Sequence, residues 1–283
     1  MNNKGILPIN KLSGWTSFDV CNKIKHMVKP LKVGHLGTLD PMATGVLLVT
    51  IGKATKLFDI MQEKEKTYIA EFEFGKETDT LDIQGQVLST TDNIPTCQEI
   101  KNILPNYIGE IEQIPPKYSA KNVNGKRAYE LARENKDFEL KPKTVKVYDI
   151  NFISYINNVL KLKITCGSGT YIRSIGRDLA HDLNSLATMI SLERTNVGQF
   201  SVESCLDARN LTPENIKSFV IDVDSVLDYN KLYLDELLTA KILNGQKINL
   251  DKPDGNYHLI QNNEVVAIVN IAQNLAKMSI FLG

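Results

Sequence analysis

The amino-acid sequence predicts an α+β fold whose central sheet is mostly antiparallel. Helical and strand-like segments interleave without the regular strand–helix–strand rhythm of a parallel sheet. One hairpin is clear, because Asn157 and Asn158 join two alternating runs, and asparagine tolerates the positive φ of a tight turn. The 283 residues, of which 42% are apolar, are enough for one large domain and a small one.

Local signals predict the elements of the larger domain in order. The first helix begins after the N-cap residue Thr16, and Thr96 forms a capping box with Glu99 at the start of a short helix. The predicted helices are 17–28, the segment after Thr96, 128–136 and 171–183. Alternating or β-branched runs predict strands at 46–51, 68–74, 145–155, 159–166 and 190–200.

A second, small unit is predicted at the carboxyl end of the chain. An acidic stretch, 203–230, is interrupted by Pro213 and ends in a turn-like Asp-Tyr-Asn sequence. We therefore predict domains at 1–230 and 231–283. The second is expected to be β-rich, with one helix at 232–243 and short strands at 248–250, 257–260, 265–271 and 278–281.

The charges are balanced overall but separated along the chain. Lysines outnumber acids by ten to five in residues 1–66, and basic residues outnumber acids by nine to four in 117–146. Residues 203–228 contain six acids and two basic residues. The protein therefore could present a basic face to a nucleic acid, although such runs are also typical of solvated surfaces.

The cysteines and the hydropathy pattern indicate a reduced, cytoplasmic protein. Cys21, Cys97, Cys166 and Cys205 are far apart, with no C-x-x-C pair and no histidine cluster that would complete a zinc site. No apolar run reaches the roughly 20 residues of a membrane span, and no signal-peptide core begins the chain. We expect neither a structural metal nor membrane attachment.

The loop 34–45 is the most informative segment for function. It places three glycines, His35, Asp40 and Pro41 between a helix and a strand. Glycines allow sharp turns or close approach to a ligand, and Pro41 stiffens the chain beside the carboxylate. From the residues alone a simple turn is the better interpretation, because aspartate before proline commonly occupies turns.

This loop resembles the catalytic loop of the TruB family, the tRNA pseudouridine-55 synthases. Further motifs that resemble those of the family are 11–17, 66–68, 78–82 with Gly85, 115–120, 125–133 and 166–174, so that the resemblance covers residues 4 to about 210. It implies a pseudouridine-synthase-like domain with a small PUA-like carboxyl-terminal domain. The implied activity is isomerisation of uridine 55 in the T loop of tRNA, by a monomer. No cofactor is expected, because isomerising a base requires neither electrons nor an activated donor.

The resemblance implies roles for three catalytic residues. Asp40 would attack the target nucleotide, at the sugar or at the base, since the bond from ribose C1′ to N1 must be replaced by one to C5. Arg173 would pair with Asp40 and keep it ionised, and Tyr68 would stack on the uracil. From the residues alone, Arg173 is predicted to be a surface arginine on a helix, and Tyr68 is predicted to be an inward-facing aromatic residue of a strand.

The resemblance also implies residues that contact the RNA. A base in the folded T arm must be flipped out, and His35 would stack where it had been. Lys11 would contact phosphates or support the catalytic loop, and Tyr171, Lys126 and Arg127 would bind the RNA. Exposed basic residues are otherwise commonly only solubilising.

Two positions depart from the family pattern, and other motifs of the sequence bear on rival functions. Leu12 stands where proline is usual and Asn122 where lysine is usual, which affects loop stiffness and one RNA contact. Incomplete motifs exclude a P-loop around 47–54 and a dinucleotide fingerprint at 167–172. A glycosidase with the carboxylates Asp79 and Asp82 and an RNA-folding protein without catalysis remain as alternatives.

Overall fold

The computed structural model describes residues 4–134 and 136–283, and within these ranges the chain forms two separate larger sheets. The helices are α1 Ser17–Met27, α2 Phe58–Gln62, α3 Cys97–Ile103, α4 Ala128–Arg133, α5 Ile172–Asp182, α6 Pro213–Phe219, α7 Val223–Val226 and α8 Glu236–Leu243. Short 3-10 helices lie at Lys53–Leu57, Leu104–Tyr107, Val202–Ser204 and Ala208–Asn210.

The strands fall into a main sheet, a carboxyl-terminal sheet and two small hairpins. They are β1 Lys4–Lys11, β2 Val33–Leu36, β3 Thr44–Gly52, β4 Lys66–Phe74, β5 Lys76–Thr78, β6 Val87–Thr90, β7 Gly109–Gln113, β8 Asn122–Val123, β9 Lys126–Arg127, β10 Lys143–Ile156, β11 Val159–Cys166, β12 Ala187–Val197, β13 Phe200–Ser201, β14 Leu206–Asp207, β15 Asn230–Tyr233, β16 Ile248–Asn249, β17 Gly255–Gln261, β18 Glu264–Ala272 and β19 Leu275–Phe281.

The main sheet confirms the predicted mostly antiparallel α+β architecture. Its strand order is β14-β1-β3-β12-β4-β11-β10-β7, with β2 added on β3 and β13 on β12. Among these pairs only β1 with β14 and β3 with β12 are parallel. The predicted hairpin is present, because Asn157 and Asn158 have φ of 51° and 63° between β10 and β11.

Three predicted elements differ from the structure. Residues 232–243 are not one helix: Leu232 is buried in β15, and α8 begins only after Asp235, whose side chain accepts a hydrogen bond of 2.7 Å from the amide of Leu238. The strand predicted at 190–200 begins earlier and is divided by a turn at Gly198. The helix predicted at 128–136 ends at Arg133, and residue 135 of that range lies outside the described residues.

Strands β1 and β3 are buried on both faces, which explains the continuous apolar run of β3. Alternate residues point to opposite faces of a strand. Leu47 and Val49 lie in the core under α1, α3 and α5, whereas Val46 and Leu48 lie in a second cluster on the other face. The carboxyl-terminal sheet covers that second face.

Two glycines allow the close approaches that position the site. A Cβ on Gly45, which has φ of +98°, would lie 2.2 Å from the carbonyl oxygen of Arg194 on β12. A Cβ on Gly176 in α5 would lie 2.3 Å from the ring of Phe72 on β4. Glycine therefore lets β3 approach β12 and lets α5 lie directly on the sheet.

The carboxyl-terminal sheet has the order β15-β17-β18-β19-β16 and packs against the main domain. Its residues Ile260, Val265, Ile268 and Leu282 belong to the same buried cluster as Val46 and Leu48. Polar contacts strengthen the docking. Lys4 donates a hydrogen bond of 2.6 Å to the carbonyl of Val265, and Lys56 donates one of 3.0 Å to the carbonyl of Phe281. No helix among the described residues is long and apolar enough to cross a membrane.

Deletion of residues 231–283 is expected to unfold the remaining chain. Each buried aliphatic side chain contributes about 1.5–3 kcal/mol, so losing four of them removes an amount comparable with a total stability of ~5–15 kcal/mol. Thermal unfolding followed by circular dichroism checks this. A truncated chain that melts cooperatively within a few degrees of the full protein would show that the shared cluster contributes little.

Candidate active site

One cavity of about 1020 Å³ gathers the predicted catalytic residues. Its walls come from five segments that are distant in sequence. They are the loop 37–41, α2 with the start of β4, the segment 80–84, the segment 118–133, and the turn 167–173 at the start of α5. Leu192 and Arg194 of β12 complete the lining. The cavity lies over the centre of the main sheet, where β4 pairs with β12.

Asp40 and Arg173 form a two-point ion pair in this cavity. Arg173 donates from Nη2 to Oδ1 of Asp40 at 3.0 Å, and its Nε lies 3.0 Å from Oδ2. The two residues are 133 positions apart in sequence. A bidentate guanidinium–carboxylate pair restricts both distance and orientation, so the carboxylate is aimed as well as held.

Further bonds hold the Arg173 guanidinium itself in place. It donates hydrogen bonds of 2.8 Å to the carbonyl of Thr80 and 3.1 Å to the carbonyl of Tyr118. Its Nη1 also lies 3.4 Å from Oδ2 of Asp82. The Arg173 side chain is only 6% exposed, whereas that of Asp40 is 30% exposed. Arg173 is therefore a rigid support, and Asp40 is the member of the pair that a ligand can reach.

The surroundings of Asp40 have opposing effects on its ionisation. Burial raises the pKa of the Asp40 carboxyl above its ordinary value, and the Arg173 guanidinium acts against that rise. The carboxylate of Asp82 adds to the rise, while the ammonium of Lys11 opposes it. Asp40 is a carboxylate with reduced solvation whose charged form depends on Arg173.

Tyr68 lies on β4 beside Arg194 of β12, with which it is in register. Its side chain is 7% exposed and lines the cavity, so the aromatic ring is part of the floor. Burial raises the pKa of the Tyr68 phenol, and Arg194 opposes this rise. The phenol is therefore protonated and neutral at physiological pH.

Arg194 is a cavity residue that the sequence analysis missed. It is 1% exposed, donates 2.7 Å from Nε to the carbonyl of Val46, and donates 2.9 Å from Nη2 to the carbonyl of Gly37. It thus connects the start of the loop 37–41 to β12. No local sequence pattern distinguishes an arginine inside a strand as a site residue. Gly45, which lets β3 approach β12 closely, is the one local feature that points to this contact.

Lys11 supports the loop that carries Asp40 and does not reach the surface. It is fully buried, and its ammonium donates to the carbonyls of Leu12 at 2.9 Å, Trp15 at 2.6 Å and Pro41 at 3.2 Å. Burial lowers the pKa of Lys11 to about 8. Of the two roles predicted for Lys11, support of the loop agrees with these bonds, and contact with phosphate stays a prediction.

His35 and Lys126 lie outside the residues that line the cavity. His35 is half-buried on β2, with Nε2 3.0 Å from the hydroxyl of Thr38 and Nδ1 3.6 Å from the sulfur of Cys21. Burial lowers the pKa of His35, so the imidazole is neutral. Lys126 is exposed, and its Nζ lies 3.6 Å from Oε2 of Glu134.

Tyr171 and Arg127 do line the cavity. Tyr171 is the N-cap residue of α5, and its backbone is clamped by the side chain of Gln113 through bonds of 2.8 and 3.0 Å. Arg127 is exposed at the rim and donates 2.7 Å to the carbonyl of Ala120. The structure therefore brings five of the eight predicted site residues to one cavity: Asp40, Tyr68, Arg173, Tyr171 and Arg127.

The paired carboxylates of a glycosidase are not found at Asp79 and Asp82. Asp82 is buried against Arg173, whereas Asp79 accepts a bond of 2.8 Å from the amide of Gln86 and is absent from the cavity lining. The two groups therefore do not face each other across the cavity.

Comparison with known proteins identifies the family of the chain. Residues 25–172 match the model of the TruB family pseudouridylate synthase N-terminal domain. The tRNA pseudouridine synthase B of Borreliella afzelii is 40% identical over 269 residues, which are 94% of each chain. That of Clostridium kluyveri is 42% identical over 245 residues, covering 86% of this chain and 85% of the relative.

A solved structure shows the same fold over nearly the whole chain. The crystal structure of a Cbf5-Nop10-Gar1 complex contains a chain with a TM-score of 0.70 at 21% identity, covering 99% of this chain and 84% of the other. At that identity the likeness concerns the fold alone. It includes the small β-rich sheet after residue 230 and agrees with the predicted pseudouridine-synthase-like architecture with a PUA-like unit. Together with the matched family model and relatives, these features show that the chain belongs to the TruB family of pseudouridylate synthases.

Proposed function

We propose that this protein isomerises uridine 55 in the T loop of tRNA to pseudouridine, with Asp40 as the essential carboxylate. The observation that carries the proposal is the two-point pair of Asp40 with a buried Arg173 at the floor of a cavity large enough for a nucleotide. The family and the relatives named tRNA pseudouridine synthase B support tRNA as the substrate.

In the proposed reaction the carboxylate of Asp40 adds to the target nucleotide. The bond from ribose C1′ to N1 breaks, C1′ bonds to C5 of the rotated uracil, the proton on C5 is lost, and N1 gains a proton. Asp40 attacks either the sugar or the base and is released at the end, so the enzyme is unchanged. Arg173 aims the carboxylate, and its charge favours the ionised form.

Tyr68 provides the surface on which the uracil lies. Its ring forms part of the cavity floor, and a neutral phenol stacks on a base without adding charge. Because the target base is paired or stacked inside the folded T arm, it must first be flipped out, which requires a few kcal/mol of unstacking. His35, on strand β2 just before the loop that carries Asp40, is proposed to occupy the space that the base leaves.

The rim of the cavity is basic where the RNA would enter. Lys121, Arg127 and Arg133 line this edge and are exposed. Cationic side chains at a cavity mouth fit phosphates on either side of a flipped nucleotide. The residues 231–283 are proposed to extend this RNA-binding surface as a PUA-like domain, with residues 1–230 as the catalytic domain.

We also propose that the protein acts as a monomer in the cytoplasm. All residues of the proposed site come from one chain, so catalysis requires no second copy. Its proposed substrate is a cytoplasmic RNA, and the four cysteines are free in the structure. Sedimentation at working concentration tests the first statement.

The affinity for tRNA is expected to fall steeply with salt, because phosphate contacts release counterions. Neutralising both Lys126 and Arg127 with glutamine should reduce the slope of log K against log salt by up to roughly two units, about one for each lost phosphate contact. Filter binding between low and high salt gives the slope. The double variant Lys101→Gln with Lys217→Gln, at exposed positions outside the cavity, is the control. An unchanged slope would place Lys126 and Arg127 off the RNA path.

The proposed activity is tested on an unmodified tRNA transcript. Incubation with the enzyme should convert one uridine, and digestion with chromatography should locate the pseudouridine at position 55. A transcript with cytidine at position 55 should give no product. Modification at a different uridine would contradict the assigned position while leaving the isomerase activity in place.

A further inference from the structure

A second aromatic side chain stands at the mouth of the cavity. Phe58 begins α2, lines the cavity and is 41% exposed. Gln62 lies one helical turn later, also lines the cavity, and is half-buried. Residues four apart share one face of a helix, so Phe58 and Gln62 face the cavity together.

The residues directly before Phe58 and Gln62 anchor this pair in the core. Leu57, which immediately precedes α2, and Met61 are buried in the cluster shared with the carboxyl-terminal sheet. Lys66, whose side chain also lines the cavity, donates 2.8 Å to the carbonyl of Gln62 and 2.7 Å to that of Lys64. The short helix is therefore held at both its inner face and its carboxyl end, and Phe58 is exposed on a rigid support.

The cavity has room for more than one base. At about 1020 Å³ it lies at the upper end of the range of roughly 300–1,000 Å³ that holds a drug-sized molecule. Tyr68 is 7% exposed and forms the floor, whereas Phe58 is at the rim. The two aromatic rings therefore lie at different depths in the cavity. A base on Tyr68 leaves the rim at Phe58 free for another group.

An exposed phenylalanine at this place fits an unpaired nucleobase. Every base has a π-face, and stacking on an aromatic side chain is the usual way in which proteins bind bases that have left a helix. The side-chain amide of Gln62 carries both a donor and an acceptor, which suits the edge of a base. The cationic residues Arg127 and Arg133 line the same cavity and would hold the phosphates that connect two adjacent nucleotides.

We propose that Phe58 and Gln62 form a second nucleobase subsite, which binds by stacking a nucleotide adjacent to the target uridine. The proposal rests on the proposed function, because it takes an RNA with a flipped uridine as the ligand. The subsite would fix the register of the RNA strand at the cavity mouth, so that only one uridine reaches Asp40.

Substitutions of Phe58 test the stacking. On a T-arm stem-loop, Phe58→Ala and Phe58→Leu should raise KM at least about fivefold with a smaller change in kcat, because stacking is lost while the catalytic groups remain. Phe58→Tyr and Phe58→Trp should restore binding. Phe219→Ala is the matched control, since Phe219 is also 41% exposed on a short helix but does not line the cavity.

Abasic substrates identify the partner base. An abasic nucleotide is placed in turn at each position beside the target uridine, and every RNA is assayed with the wild type and with Phe58→Ala. At one position the loss from the abasic site and the loss from Phe58→Ala should not add, because both remove the same contact. Additive losses at every position, or a Phe58→Leu variant equal to wild type, would overturn the subsite. A wild type that makes no pseudouridine on the intact RNA would instead refute the proposed function.

Discussion

Replacing Asp40 with asparagine is expected to lower the single-turnover rate of pseudouridine formation by roughly 10⁴- to 10⁶-fold. The change nearly preserves the shape of the side chain but removes its charge and its nucleophilic oxygen. Asparagine suits turns as well as aspartate does, so a residue that only shaped the loop would tolerate the change. In the structure both carboxylate oxygens of Asp40 instead contact Arg173.

The affinity of Asp40→Asn for tRNA should stay close to that of the wild type, because stacking and phosphate contacts provide the binding energy. The measurement is therefore paired, with product formed in single turnover and tRNA affinity by filter retention. Asp235→Asn is a suitable control, since Asp235 caps α8 through its side chain and asparagine caps helices equally well. A folded Asp40→Asn protein that retains a tenth of the wild-type rate would exclude Asp40 as the nucleophile.

Replacing Arg173 with lysine is expected to slow turnover at least about a hundredfold although the positive charge is kept. Lysine cannot reproduce the two parallel bonds to Asp40 together with those to the carbonyls of Thr80 and Tyr118. The carboxylate would be held less firmly and aimed less well. Arg177→Lys, one turn further along α5 and outside the cavity lining, is the control and should be nearly unaffected.

The pH profile separates this catalytic role from a purely structural one. Burial raises the pKa of Asp40 and Arg173 opposes the rise, so weakening the pair should raise that pKa further. Because the reaction needs the ionised carboxylate, the acid limb of kcat/KM, which reports the free enzyme, should move to higher pH in Arg173→Lys. A variant that is slower at every pH with an unmoved acid limb would indicate that Arg173 acts through the fold alone.

The local elements were predictable because their signals lie in neighbouring residues. Thr96 with Glu99 caps α3 as expected, and Asn157-Asn158 form the hairpin turn. The helix predicted at 232–243 was wrong because the apolar residues of β15 and α8 follow one another closely in the sequence, and the N-cap residue Asp235 is what separates the two elements.

The contact between Asp40 and Arg173 was predictable from the family resemblance rather than from the residues alone. Asp40 and Arg173 are separated by 133 positions, and no local pattern joins them. The position of Arg194 and the burial of Lys11 depend on how β1, β3 and β12 pack together. This packing cannot be predicted from neighbouring residues in the sequence. In the sequence Phe58 is an ordinary apolar residue, and only the fold shows that it lies at the cavity mouth.

Release of tritium from tRNA labelled at C5 of its uracils tests the central claim most directly. Isomerisation expels the C5 hydrogen of the target base, so the wild type should release one equivalent of tritium per tRNA and form one pseudouridine at position 55. An RNA-folding protein would bind the same tRNA without releasing tritium. Saturable binding by folded wild type with no tritium in the water would therefore contradict the account.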